Sequence, residues 1–292
     1  MTKVLIFGAN SQDGYYLTAA YRNRGAEVIG ISRGGNWLHG DVSSFDCVES
    51  LVRNEVPDVV VHLAAWSTTK HDALFENHST IGSGTLNVLE AVKRWAPECK
   101  VFITGSGVQF ENSGEPIDEN TPFDHKSSYA AVRNYSVFLA RYYRTMGVRV
   151  YVGYLFHHES PMRKPNHVSQ MIVQAVNRIS LGNNEMITLG DVSVQKEWTF
   201  AGDVAEGILT LVDQNTVYEA VIGSGIAFTI QDWLEACFAL IGRDWKKYVE
   251  IREGFIPEYE RLVSNPATIN SLGWRPKVGL NELARMMLQS VR

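Results

Sequence analysis

The sequence predicts an α/β fold: a doubly wound parallel sheet with helices on both faces, followed by a smaller C-terminal lobe. Three observations predict it. Short apolar, β-branched runs at 4–7, 28–31, 59–61 and 101–104 have the composition of strands buried on both faces. Between them, 15–24, 45–55 and 81–95 carry apolar residues at helical spacing, and a βαβα alternation of this kind builds a parallel sheet. A glycine-bearing turn joins the first run directly to the first helical segment.

That turn is Gly8-Ala9-Asn10-Ser11-Gln12-Asp13-Gly14. Glycines at 8 and 14 let backbone approach a diphosphate and let the helix pack on the strand, while the helix N-terminus offers free N–H groups to the anion. Ser11 stands where a third glycine is usual. The arrangement is Rossmann-like and makes Gly8, Asn10, Ser11, Gln12, Asp13 and Gly14 candidate dinucleotide contacts. The second strand ends Gly30-Ile31-Ser32-Arg33, without the acid that pairs with a ribose 2′-hydroxyl. A hydroxyl beside a guanidinium suits a 2′-phosphate, so Ser32 and Arg33 point to NADP(H) rather than NAD.

The fourth run leads through Thr104-Gly105 to Ser106, a hydroxyl at the carboxyl end of a strand, where ligands bind in a doubly wound sheet. A polar loop at about 111–125 then leads to a helix expected over 127–146 and a strand over 148–154. On that helix Tyr129 and Arg133 are four residues apart, hence on one face, and a neighbouring cation favours the phenolate form that acid–base chemistry uses. Helices are expected at 168–179, 203–212, 230–241 and 280–291, with short strands between. The expected division is 1–155 for cofactor, with a return near 190–224, and an interleaved 156–292 for substrate.

Composition narrows the function classes. The 292 residues are 45% hydrophobic with a net charge of −5, and Lys and Arg are spread along the chain. That spread argues against a nucleic-acid or membrane-surface partner. No run of 18 apolar residues and no signal-peptide pattern is present. Cys47, Cys99 and Cys237 lie far apart without a metal-binding spacing, so no metal is expected and a reducing, cytoplasmic setting fits.

In order and spacing, the glycine loop, Asp41-Val42, Leu63-Ala64-Ala65, the Ser106 strand end and the Tyr129 helix resemble the extended short-chain dehydrogenase/reductases. Within them the chain is most similar to the GDP-mannose 4,6-dehydratase branch. The segments that carry this are Ser11-Gln12-Asp13-Gly14, Leu155-Phe156-His157-His158-Glu159-Ser160-Pro161, Leu189-Gly190-Asp191 with Glu197-Trp198, and Asn265-Pro266 with Leu272-Gly273-Trp274-Arg275-Pro276-Lys277. The resemblance implies that Tyr129 transfers the proton, that Ser106 bonds the reacting sugar oxygen and that Arg133 replaces the family's lysine. It implies that Asp41 and Val42 hold the adenine and that Leu63, Ala64 and Ala65 line the cofactor, which Tyr129 and Arg133 also contact. Ser67, His157 and Lys196 would face a nucleotide sugar.

Four departures shape the expected reaction. Arg133 stands for lysine, Gly107-Val108 for an acidic position, His157 for asparagine, and Ile256-Pro257 for an arginine before proline. The leading expectation is therefore NADPH-dependent reduction of a keto group on a 4-keto-6-deoxy GDP-sugar. The alternatives are a 4,6-dehydratase or epimerase and, in a different class, a non-catalytic NADP-binding regulator. The resemblance also implies a homodimer formed through the helices at 81–95 and 127–146.

Overall fold

The computed structural model describes residues 1–66 and 68–290. The first part runs β1 (Lys3–Phe7), α1 (Gln12–Asn23), β2 (Glu27–Ser32), β3 (Leu38–His39), α2 (Phe45–Glu55), β4 (Val59–His62), α3 (Leu74–Asn77), α4 (Gly84–Trp95), β5 (Lys100–Ser106), α5 (Ser128–Thr145) and β6 (Arg149–Leu155). The second runs β7 (His158–Glu159), α6 (Val168–Ser180), β8 (Ile187–Leu189), β9 (Gln195–Glu197), β10 (Thr199–Phe200), α7 (Ala201–Val212) and β11 (Glu219–Ile222). It continues with β12 (Ala227–Thr229), α8 (Ile230–Ala239), β13 (Val249–Ile251), β14 (Arg261–Leu262), α9 (Ala267–Ser271) and α10 (Leu280–Gln289).

Seven strands form the main sheet in the order β11-β6-β5-β4-β1-β2-β3, with every pairing parallel. Strand order reverses between β1 and β4, which opens a crevice at their carboxyl ends. Alternate residues of each strand supply opposite cores, as a period of two requires. Leu5, Phe7, Val60, Ile103 and Val152 pack with Val48, Val92 and Val137 on one face. Val4, Ile6, Val61, Phe102 and Tyr151 pack with Leu17, Ile208 and Leu209 on the other. Each such buried side chain contributes about 1.5–3 kcal/mol, so the sheet is the rigid frame from which the site loops project. A third core joins α6, α8 and α10 around Trp233, which stacks on Trp198 at 4.7 Å.

Three sequence expectations need adjustment. Helix α1 starts at Gln12 rather than 15, because the Ser11 hydroxyl caps it by accepting from the Gly14 N–H at 3.0 Å. The helix expected from 81 is regular only from Gly84, preceded by the π-helical turn His78–Ser83. Apolar spacing alone does not distinguish the wider turn, since Ile81 within it is fully buried against Tyr129 and Val132. Strand β3 was not expected, because two residues carry no readable period.

The sheet's outer strand β11 is pinned by charge. The Glu219 carboxylate accepts from Arg141 at 2.8 Å, Arg144 at 2.7 Å and the Tyr154 hydroxyl at 2.6 Å. Burial pushes this carboxyl up, but hydrogen bonds from Arg141, Tyr154 and Arg144 outweigh it and hold it down at about 2. A folded-state value below the unfolded one of about 4.3 contributes stability above that pH and loses it as pH falls toward the folded value. Glu219→Gln is expected to cost about 2 kcal/mol at neutral pH and to flatten the stability loss between about pH 4.5 and 2. Thermal unfolding across that range checks it; an unchanged acid limb would count against this account.

Candidate active site

The crevice between β1 and β4 holds a cleft of about 630 Å³ lined by residues of the glycine loop, the ends of β2 and β4, and residues 162–164, 166 and 167. Gly8 sits at φ +89°, and a Cβ there would lie 2.7 Å from the Ala64 backbone nitrogen. At Gly14 a Cβ would meet the Ala9 carbonyl oxygen at 2.6 Å. Both positions therefore exclude side chains, and the loop folds tightly enough to present the first turn of α1 to an anion. Ser11 takes the place of the usual glycine by acting as the cap.

Every expected cofactor position of the loop except the tightly packed Gly14 lines the cleft, but three side chains have other work. The Ser11 hydroxyl is taken by the cap. The Gln12 amide donates to the His158 carbonyl at 3.2 Å and accepts from the Ser160 hydroxyl at 2.8 Å. The Asp13 carboxylate bonds His158 Nε2 at 2.8 Å. The side chains of Gln12 and Asp13 are thus joined to the segment after β6. Asn10 lies beside Gly35 in the loop after Arg33.

At the other end of the cleft, Ser32, Arg33, Asp41 and Val42 come together. The Arg33 guanidinium lies over the Trp66 ring at 5.7 Å, which holds an exposed cation at the cleft mouth. Asp41 Oδ1 accepts from the Ser43 backbone N–H at 2.9 Å and the Ser43 hydroxyl at 2.8 Å. The Val42 carbonyl accepts from Asn87 at 2.9 Å, which fixes the backbone there. Leu63, Ala64 and Ala65 form the opposite wall. Ser67 lies outside the described residues.

Ser106, Tyr129 and Arg133 sit together at the end of β5 and the start of α5, but they are not among the residues lining the cleft. Arg133 Nε donates to the Tyr129 hydroxyl oxygen at 3.1 Å, and the same guanidinium donates to the Thr104 carbonyl. Arg133 is buried and has no acidic partner among the described ion pairs. His62 lies beneath, where burial and the Arg133 charge push its imidazole down to about 3 and keep it neutral. The Ser106 N–H donates to Gln109 Oε1 at 2.8 Å, and Gln109 donates to Asn134 of α5 at 3.0 Å. This bridge, which the sequence did not disclose, ties the backbone of the strand-end serine to the tyrosine helix. Val108 packs its isopropyl group against the Ile81–Tyr129–Val132 cluster.

Of the residues expected to face a substrate, the half-buried His157 and the buried Lys196 do not line the cleft either. Burial pushes the Lys196 ammonium down to about 8 against the opposing pull of Glu159, and it sits 4.6 Å from the Trp198 ring centroid. Burial and the nearby Lys196 charge hold the His157 imidazole well below its usual range. The groups that do line the cleft, Met162, Arg163, Lys164, Asn166 and His167, follow the His158–Pro161 run. Arg163 pairs with the buried Glu159 carboxylate at 3.1 Å. The run of basic residues immediately after that motif was the signal that could have found them.

The family model for GDP-mannose 4,6 dehydratase matches residues 5–287. The chain belongs to the GDP-mannose 4,6-dehydratase family. It is an enzyme of the extended short-chain dehydrogenase/reductase type, in a family that acts on nucleotide sugars. GDP-mannose 4,6 dehydratase 1 of Arabidopsis thaliana is 30% identical, over 97% of this chain and 88% of that protein. The human GDP-mannose 4,6 dehydratase is 26% identical, over 98% and 90%. Among solved structures, dTDP-glucose 4,6-dehydratase from Bacillus anthracis superposes with a TM-score of 0.86 at 20% identity, covering 100% of this chain and 96% of that one. RMD from Pseudomonas aeruginosa, solved with NADPH, gives 0.84 at 22%, covering 99% and 97%. The family model and the two sequence relatives back the dehydratase alternative of the sequence reading better than its leading expectation of keto reduction. Among the described residues no helix is long and apolar enough to cross a membrane.

Proposed function

We propose that the chain reduces a keto group of a GDP-linked 4-keto-6-deoxy sugar with NADP(H). The observation that carries this reading is the site around Tyr129. It has a proton donor with a guanidinium on its oxygen, and an isopropyl group, Val108, where dehydration calls for an acid. The glycine cradle, the α1 N-terminus and the size of the cleft fit a dinucleotide. Structural neighbours of the same fold were solved with NAD or NADPH, which supports a nicotinamide cofactor here.

On this reading the backbone N–H groups of α1 bind the diphosphate, Asp41 and Val42 hold the adenine, and Leu63 to Ala65 flank the cofactor. A bound nicotinamide supplies hydride to the carbonyl carbon. Tyr129 gives its proton to the carbonyl oxygen, Ser106 orients that oxygen, and Arg133 stabilises the phenolate left behind. His157 and Lys196 face the nucleotide sugar from the interleaved C-terminal part. The test is NADPH oxidation with GDP-4-keto-6-deoxymannose, followed by absorbance; no consumption overturns the reading. Whole-chain likeness to proteins named as dehydratases supports a second reading, 4,6-dehydration of GDP-mannose.

Cofactor choice is a separate expectation. Arg33, held over the cleft by Trp66, would bond a 2′-phosphate. Arg33→Ala is expected to weaken NADP binding roughly tenfold to a hundredfold and to leave NAD binding unchanged, the range of a charge-assisted bond of about 1.5–3 kcal/mol. Calorimetric titration with each nucleotide checks it, and equal wild-type affinities would overturn the preference.

A homodimer through α4 and α5 completes the proposal. Leu86, Tyr135, Phe138 and Tyr142 leave apolar surface exposed on those helices. Sedimentation velocity is expected to give twice the chain mass; a monomer overturns it.

A further inference from the structure

We propose that His158 neutralises Asp13, so that a carboxylate can stand at the diphosphate end of the cleft, and that this pair positions the segment 158–167 against the cofactor. The proposal rests on the reading of the cleft as a dinucleotide site.

Asp13 is the second residue of α1 and lines the cleft. A carboxylate in the first turn suits the helix dipole, but it competes with any diphosphate drawn to the same N–H groups. His158 answers that conflict. Its Nε2 lies 2.8 Å from Asp13 Oδ1, and its Nδ1 lies 2.7 Å from the Phe156 carbonyl oxygen. A carbonyl and a carboxylate only accept, so both ring nitrogens must carry hydrogen. The geometry is that of an imidazolium on a carboxylate. The two side chains are only 12% and 21% exposed.

The surroundings agree. Burial alone would push the imidazole down and the carboxyl up, but the Asp13–His158 attraction and hydrogen bond reverse both directions. The other charged or titratable groups that face the pair are Arg163 and His157 on the same segment and Arg133 of α5. Each is cationic or neutral, so none stabilises the imidazolium in place of Asp13.

The pair is also a mechanical link. The Gln12 amide holds the His158 carbonyl and the Ser160 hydroxyl, and that hydroxyl accepts from the Met162 N–H at 3.1 Å. Five residues of 162–167 then line the cleft that α1 opens. Anchoring the segment on the phosphate helix makes placement of Arg163 and His167 depend on the same turn that takes the anion.

The test is calorimetric titration of NADP⁺ into wild type, Asp13→Asn, His158→Asn and the double variant at pH 7. His158→Asn leaves a bare carboxylate at the anion site, and affinity is expected to fall roughly tenfold or more. Asp13→Asn removes that charge and keeps the backbone N–H, so its affinity is expected to stay above that of His158→Asn, and the double variant to recover to the level of Asp13→Asn. A side chain with a merely structural role would not be rescued by a second deletion. Wild-type affinity is expected to fall as pH rises through the elevated His158 value, and Asp13→Asn to lack that step. If His158→Asn does not fold, the pH series on wild type and Asp13→Asn decides. Equal affinity of His158→Asn and wild type, a double variant no better than His158→Asn, or the same pH step in Asp13→Asn overturns the proposal. Wild-type protein that binds neither NADP⁺ nor NAD⁺ overturns the cofactor reading itself, and this inference with it.

Discussion

Tyr129→Phe is expected to lower turnover by about 10²–10⁴-fold while leaving cofactor affinity within a few-fold of wild type, the usual contribution of a positioned general acid–base group. The substitution keeps the ring, which is buried against Ile81 and Val132, and removes only the hydroxyl that faces Arg133 Nε at 3.1 Å. Folding stability should change little, because the lost bond joins one phenol to a guanidinium that keeps its bond to the Thr104 carbonyl. The split matters more than the size of the loss: kcat falls and Kd for NADP⁺ does not. Ser106→Ala is expected to cost less, since water can fill the place of one half-buried hydroxyl. Steady-state kinetics with a calorimetric Kd for each variant checks both. Full activity of Tyr129→Phe would remove the site from consideration.

What could be read in the sequence follows the physics of each feature. The central strands were legible because burial on both faces leaves continuous apolar runs, as at β4 and β5, and the parallel order follows from the helices between them. The tyrosine–arginine pair was legible because a spacing of four fixes a shared helical face, and the structure brings the two side chains into a hydrogen bond. The glycine loop was legible as a backbone shape, but what its side chains do was not. Gln12 and Asp13 meet His158 and Ser160 across a sequence separation of about 146 residues, and no local pattern reports such a contact. The same holds for the Gln109–Asn134 bridge. Lys196 and His157 were expected from resemblance alone, and neither lines the cleft. Their burial, which determines their charge, is a property of the packed C-terminal lobe and not of their neighbours in sequence.

The second large effect is an absence of product: incubation with GDP-mannose and catalytic NADP⁺ is expected to give no sugar nucleotide lighter by one water. Dehydration requires oxidation at C4, removal of the C5 proton with loss of the C6 hydroxyl, and return of hydride to C6. The middle step asks for a proton acceptor and a proton donor besides Tyr129. Of the residues after Ser106, Gly107 carries no side chain and Val108 is packed apolar against the tyrosine cluster. Gln109 is buried with its amide already bonded to the Ser106 N–H and to Asn134, and Glu111 is exposed. Keto reduction needs none of these groups, because one hydride and the Tyr129 proton balance it. The relatives' names favour the opposite outcome, so mass analysis of the incubated sugar nucleotide discriminates sharply between the two. Appearance of the dehydrated product would assign the chain to the reaction its relatives are named for, and would require a proton acceptor from outside the 107–111 segment to reach the C5 proton.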